Sequence, residues 1–362
     1  MENLKLFYSP ALDAETVRQR LLSLLVPGCL ADKDLERLID RMEERFRVYL
    51  SSYPYGLWTP GLFITDEMRG MTELYLPLAE IRRISDRFFS LSLKFTPFHA
   101  ASPLHTAASW LDALERLSPL VRHANPARLF RGLMADEIWR VCFMFSVFLP
   151  KRYGGGFGRY PGQAAFLKRW LMENRMRSGS PVSCLDAACG CGEGTYELAR
   201  LLLESGYSVD TFRVHGATLE PLELFAAAHG YFPHHPVREA AYRRHIQPLF
   251  AHGAAKRIAF AIEDVTKCSS GEGEVYDVIL CNGLLGGPFL HRGEELMAAV
   301  SSLGKRLKPK GLLLAADRFH GGWKKLAPEG LLREIFVRAG LSLLPIEEGI
   351  GGIKRGPGTG DW

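Results

Sequence analysis

The stretch "VSCLDAACGCGEGTYELARLLLESG", Val182 to Gly206, restricts the fold more than any other part of the chain. An apolar run ends on Asp186, six small residues follow (Ala187 to Gly192), and an amphipathic helix-like run begins near Thr195. Residues with so little packing volume, set between a strand and a helix, mark a turn whose backbone lies close to something else. The alternation then continues. After helix "AAFLKRWLMENRM" and the opening stretch come strands "FRVHGATLE", "RIAFAIED" and "YDVILCN", helix "EELMAAVSSLGKRL", and strand "GLLLAAD". Helix "PEGLLREIFVRAG" and strands "LSLLPIEE" and "GGIKRG" finish the chain. Strands alternating with helices predict a mostly parallel sheet covered on both faces. Such a sheet takes its ligand beyond the carboxyl ends of its strands.

The first 150 residues read differently. "DKDLERLIDRMEERFRVYL" places Leu35, Leu38, Ile39, Met42, Phe46 and Leu50 near helical spacing, and "TAASWLDALERLSPLV" reads similarly. So does "TELYLPLAEIRRISDRFFSLSL", which Pro77 interrupts. A mainly helical N-terminal domain over residues 1–150 and an α/β domain over 151–362 are expected. Between them "LPKRYGGGFGRYPGQ" carries Gly154, Gly155 and Gly156 ahead of Phe157, Arg159 and Tyr160. Residues 151–163 thus form a connector able to act as a lid. The apolar run "VCFMFSVFLP" is too short to span a bilayer and is expected in the core. A net charge of +5 with scattered positives predicts no nucleic-acid partner. No basic-then-apolar leader opens the chain, and its seven cysteines suit reduced, buried thiols. A cytoplasmic protein with no membrane partner is expected.

The glycine spacing separates two ligand classes. A dinucleotide turn needs G-x-G-x-x-G, but the third position falls on Thr195. The chain has G-x-G-x-G through Gly190, Gly192 and Gly194, with Asp186 four residues upstream. This resembles motif I of class I S-adenosylmethionine (SAM) methyltransferases. SAM has no phosphates, so such a loop offers bare backbone, from Ala188 through Gly190 and Gly192, and an acid for the cofactor's ammonium group. A side chain at Gly192 is expected to enter the ligand's space and spare the fold. At the end of the second strand Glu220 can accept from both ribose hydroxyls. After the third, Asp264 can accept from the adenine amino group, and the Val265 N–H can serve a ring nitrogen. Asn282 ends the fourth strand, beside the sulfonium and the methyl.

Within that class the chain resembles the CheR-type chemotaxis receptor glutamate methyltransferases. The resemblance rests on "FGRYPGQAAFLKRWL", "ACGCGEGTYELA", "YDVILCNGLLGGPF" and "RLKPKGLLLAAD", and on "GYFPHHPVREAAYRRHIQPLF" after the second strand; it covers roughly residues 151–355. It implies a seven-stranded, Rossmann-like class I methyltransferase domain. It also implies that Arg159 approaches the cofactor or an acceptor carboxylate. Three positions depart from the family pattern. Gly194 stands where the family has a second glutamate, Thr195 where it has proline, and Asn282-Gly283 where it has Arg-Asn.

"CGC" (Cys189, Cys191) lacks zinc spacing and a second pair, so no metal site is expected. No G-x-S-x-G elbow supports a hydrolase. The expected activity is in-line methyl displacement from SAM by an acceptor oxygen or nitrogen, with Arg159 and Asn282 at the reacting end. A protein carboxylate is the acceptor the resemblance favours. The alternatives are a small-molecule methyltransferase, or a SAM-binding regulatory module without turnover.

Overall fold

The computed structural model describes residues 6–52, 61, 63–97, 102–117, 120–121, 124–149, 156–175, 181–264, 266–267, 275–287, 290–316 and 327–356. Gly154, Gly155 and Val265 lie outside the described residues. The chain forms two compact units. One comprises Leu12–Arg152 with Tyr231–Ala240; the other comprises Met1–Ala11, Tyr153–Gly230 and Ala241–Trp362.

The first unit is helical: α1 (Ala14–Leu24), α2 (Lys33–Ser52), α3 (Asp66–Tyr75), α4 (Leu78–Ser92), α5 (Pro103–Thr106), α6 (Trp110–Leu117), α7 (Pro126–Ala135) and α8 (Glu137–Phe148). Pro77 separates α3 from α4, as a residue without an N–H must in a helical run. Helix α2 buries Leu35, Ile39, Met42, Phe46 and Tyr49. Leu50, expected in that stripe, is instead 46% exposed, because Tyr49 takes the inward position. The apolar run forms α8, and its Phe143 and Phe148 meet Phe88 and Phe89 of α4 with ring centroids 6.3 and 5.2 Å apart. Arg140 is buried there. It donates to the carbonyls of Leu133, Met134, Val26 and Gly28, so a core charge is dispersed over four acceptors.

The second unit holds one sheet. Its strands are β1 (Phe7–Tyr8), β2 (Val182–Asp186), β3 (Phe212–Thr218), β4 (Ile258–Ile262), β5 (Tyr276–Leu280), β6 (Leu307–Ala315), β7 (Leu341–Leu344) and β8 (Ile350–Lys354). Their spatial order is β1-β4-β3-β2-β5-β6-β8-β7. Strands β4, β3, β2, β5 and β6 are parallel. β8 runs antiparallel to both β6 and β7. The seven strands from β4 to β7 are the class I arrangement that the resemblance implied. The eighth, β1, pairs antiparallel with β4, and a strand of two residues shows no periodicity in sequence. The helices are α9 (Pro161–Arg175), α10 (Glu193–Glu204), α11 (Pro221–His229), α12 (Pro236–Ala251, of which the residues from Ala241 on belong to this unit), α13 (Gly293–Lys305) and α14 (Glu329–Arg338). Leu296, Val300 and Leu303 of α13 and Phe336 of α14 join Leu185, Ile279 and Leu313 of the sheet in one buried cluster. Burial of apolar area on both sheet faces supplies the main stabilisation. Among the described residues no helix is long and apolar enough to cross a membrane.

Candidate functional site

The chain leaves β2 to build β3 and β4 on one side, then returns to place β5 and β6 on the other. The crevice at the carboxyl ends of β2 and β5 is therefore the topological switch point, the usual ligand position in such sheets. Register brings the expected groups to that edge. Asp186 pairs with Leu280, two residues before Asn282, and the Ala187 N–H donates to the Leu280 carbonyl at 2.7 Å. Across β2, Asp186 also pairs with Gly216, so Glu220 lies just past the end of β3. Thr218 pairs with Ile262, which puts Asp264 just past β4. Asp264, Glu220, Asp186 and Asn282 thus follow the spatial strand order.

The glycine loop is held tightly. The Cys189 N–H donates to Ala217 at 2.9 Å, and the Gly192 N–H closes a turn on Cys189 at 2.8 Å. Gly192 caps α10 with φ +89, which residues with a Cβ rarely adopt. Contrary to expectation, its missing side chain faces protein: a Cβ there would stand 2.7 Å from Ala227 Cβ and 3.1 Å from the Tyr242 hydroxyl. Packing, not ligand, excludes a side chain at Gly192. Gly190, also at positive φ, has no atom within 4 Å in its Cβ direction. At Gly194 a Cβ would lie 2.7 Å from Asp186 Oδ2. That departure from the family pattern makes room for the carboxylate, and the next one ligates it: the Thr195 hydroxyl donates to Asp186 Oδ2 at 2.9 Å.

Asp186 is 3% exposed, and burial lifts its carboxyl to about 6, although hydrogen bonds from Thr195 and the Ala188 N–H pull it down. Burial also pushes the nearby Cys281 thiol up to about 12 and Cys189 well above its ordinary value, so both stay protonated. Glu220 N-caps α11, its Oε1 accepting from the Leu222 N–H at 3.2 Å. Neighbouring Glu223 accepts from the Thr218 hydroxyl at 2.8 Å. Burial raises Asp264, but Lys267 at 2.8 Å and Thr266 outweigh it and hold the carboxyl below its ordinary range.

Asn282 has a partner that sequence reasoning missed. Its Nδ2 donates to Gln163 Oε1 at 2.8 Å, and Gln163 Nε2 donates back to Asn282 Oδ1 at 3.2 Å. Gln163 is buried in the first turn of α9, where the Gly162 N–H also donates to Glu348 at 2.7 Å. Arg159 lies four residues before Gln163, half-buried, its guanidinium 5.2 Å from the Tyr160 ring centre. Nothing in the period of α9 distinguishes Gln163 from a core glutamine. Among the described residues no group of three His, Cys, Asp or Glu side chains could hold a metal ion.

SAM fits this donor set. The open face of Gly190 leaves room for a ligand against the backbone, and the carboxylates of Asp186, Glu220 and Asp264 along one edge have the chemistry to pair with an ammonium, a ribose diol and an amino group.

Residues 156–317 match the family described as CheR methyltransferase, SAM binding domain. No curated protein matches the chain. Among solved structures, the chain is similar to the N-methyltransferase NodS from Bradyrhizobium japonicum WM9 in complex with S-adenosyl-l-homocysteine. Identity is 14% over 61% of this chain and 100% of that one, with a TM-score of 0.36. A TehB-like SAM-dependent methyltransferase from Corynebacterium glutamicum ATCC 13032 Kitasato is similar at 15% identity over 53% and 96%, with a TM-score of 0.32. The similarity to StiE O-MT residues 961–1257 is 18% over 50% and 54%, TM-score 0.30, so the chain spans about half of that segment. The match to the CheR methyltransferase SAM binding domain spans a little under half of the chain.

Proposed function

We propose that the protein is a SAM-dependent methyltransferase and that it methylates a carboxylate oxygen of a protein side chain. SAM supplies a methyl made electrophilic by its sulfonium; the chain's own residues bind, align and exclude water. The observation that carries the reading is the chemistry at the end of β5, where Asn282 is joined to Gln163. Both are carboxamides, and neither can take a proton at neutral pH. An attacking hydroxyl or ammonium would have to lose a proton there, whereas a carboxylate is already a nucleophile and needs only orientation. Arg159 suits that orienting role, since a guanidinium pairs with carboxylates in a fork. In this reading Asp186 takes the cofactor's ammonium, Glu220 its ribose, Asp264 and the Val265 N–H its adenine, with Ala188, Gly190 and Gly192 supplying bare backbone. We keep the division into a helical domain over 1–150 and a methyltransferase domain over 151–362, with 151–163 as a lid, except that Met1–Ala11 go with the sheet unit and Tyr231–Ala240 with the helical one.

The test is transfer of a tritiated methyl from SAM into a panel of proteins and small molecules, followed by mild alkali. The reading expects protein-bound label released as volatile methanol. Alkali-stable label, or label only on a small hydroxyl or amine compound, would replace it with an O- or N-methyltransferase of another acceptor.

A further inference from the structure

Helix α12 follows β3 and α11 in the chain, and the cofactor reading gives it no task. Its Tyr242 is 3% exposed and reaches the glycine loop from behind, its hydroxyl donating to the Cys191 carbonyl at 2.6 Å. That carbonyl belongs to the peptide plane joining Cys191 to Gly192, the plane on which the loop turns into α10. The same ring lies 5.2 Å from Phe157, and Phe157 stacks on His245, one helical turn further along α12, with centroids 3.6 Å apart and planes 19° apart. Phe157 is two residues before Arg159. One helix therefore meets both the glycine loop and the segment that carries Arg159.

We propose that Tyr242 is a positioning residue for the cofactor loop, and that with His245 it makes α12 the common support of that loop and of the Arg159 segment. The proposal rests on the reading that the loop around Gly190 holds SAM. The physical ground is the loop's composition. Gly190, Cys191 and Gly192 leave the backbone with wide conformational freedom, which binding must remove. A buried hydroxyl from a helix fixes one peptide plane before the ligand arrives, so less ordering is left to cost affinity. Sequence separation hides this partner, because Tyr242 stands fifty residues beyond the glycines it serves.

A second tyrosine supplies the control. The Tyr196 ring lies 6.0 Å from that of Tyr242, and its buried hydroxyl donates to the Ala227 carbonyl at 2.9 Å rather than to a carbonyl of the loop. Tyr196→Phe and Tyr242→Phe each remove one oxygen from a buried ring and one hydrogen bond to a carbonyl. S-adenosylhomocysteine is the probe, titrated calorimetrically well below the melting temperature of each full-length variant. Tyr242→Phe is expected to weaken binding about threefold to tenfold, the range one net hydrogen bond covers, while Tyr196→Phe stays within about twofold of wild type. Melting temperatures should fall similarly in both. Phe157→Leu should also weaken binding. Combined with Tyr242→Phe, it should add less than the product of the single effects, because both act through one helix.

Equal affinity losses in the two Tyr→Phe variants, or none in Tyr242→Phe, would overturn the proposal. Strict additivity with Phe157→Leu would overturn the shared support. Gly190→Asn, which suits the positive φ there, separates the levels. If it abolishes binding while Tyr242→Phe does not change it, only the positioning role fails; if Gly190→Asn binds as wild type does, the loop reading fails as well.

Discussion

Replacing Asp186 by Asn should make the protein more stable and a poorer SAM binder. The carboxyl is buried, and burial lifts it from its ordinary 3.8 to about 6. A carboxyl with a higher pKa in the folded than in the unfolded state holds its proton more tightly when native, so stability is lost as pH rises from about 4 to about 6. Above that window the full penalty is present. Roughly two pH units at about 1.36 kcal/mol each amount to about 3 kcal/mol at pH 7. Asn keeps an oxygen for the Thr195 hydroxyl, which now donates at 2.9 Å. Its amide nitrogen can repel the Ala188 N–H, a loss of about 1 kcal/mol. The expected net gain for Asp186→Asn is about 2 kcal/mol at pH 7. At pH 5 the wild-type carboxyl is mostly protonated, and the advantage narrows by about 1.4 kcal/mol. Urea unfolding of both proteins at the two pH values measures the difference directly. An Asn variant less stable at pH 7, or a difference that ignores pH, would refute the argument that this carboxylate is held ionised at a cost.

The same group predicts that SAM affinity of the wild type falls up to about tenfold between pH 7 and pH 5, as the carboxylate proposed to meet the cofactor's ammonium is protonated, and that Asp186→Asn removes this dependence; calorimetry at both values decides. Glu220→Gln keeps an oxygen to cap α11 but removes the charge, so it should weaken S-adenosylhomocysteine binding about tenfold with little change in melting temperature; wild-type affinity would make Glu220 only a helix cap. Gly192→Val should unfold or strongly destabilise the protein, since its Cβ would stand 2.7 Å from that of Ala227, whereas Gly190→Asn, a residue type that tolerates the left-handed backbone there, should fold and fail to bind cofactor. Arg159→Ala should lower methyl transfer far more than it lowers stability; full transfer with a normal melting temperature would make it an ordinary surface charge.

Much of this was legible from local pattern. The alternation of strands and helices sets the parallel core, and the residues following four strand ends reach one edge because register puts them there. The invisible parts depend on direction and distance. Sequence spacing marks Gly190 and Gly192 as equivalent, yet of the two only Gly190 has open space in its side-chain direction, because nothing in a glycine says which way its absent side chain would point. Gly194 and Thr195 read as departures from a family pattern until the fold places both against Asp186. Gln163 meets Asn282 from more than a hundred residues away, a tertiary pairing with no period to announce it. In α2 the helical period is right but the stripe turns slightly, so Tyr49 is buried and Leu50 is not.

The two-residue strand β1 decides how the methyltransferase domain can be isolated. Phe7 and Tyr8 pair with Ala261 and Phe260, the Ala11 N–H donates to the Ala228 carbonyl at 3.0 Å, and the Ala11 carbonyl meets His229 Nδ1 at 2.7 Å. A fragment beginning at residue 151 loses all of this and bares the hydrogen-bonding edge of β4. An uncovered strand edge invites another chain to pair with it. Such a fragment should self-associate, and supplying residues 6–11 as a peptide should suppress that association by refilling the edge.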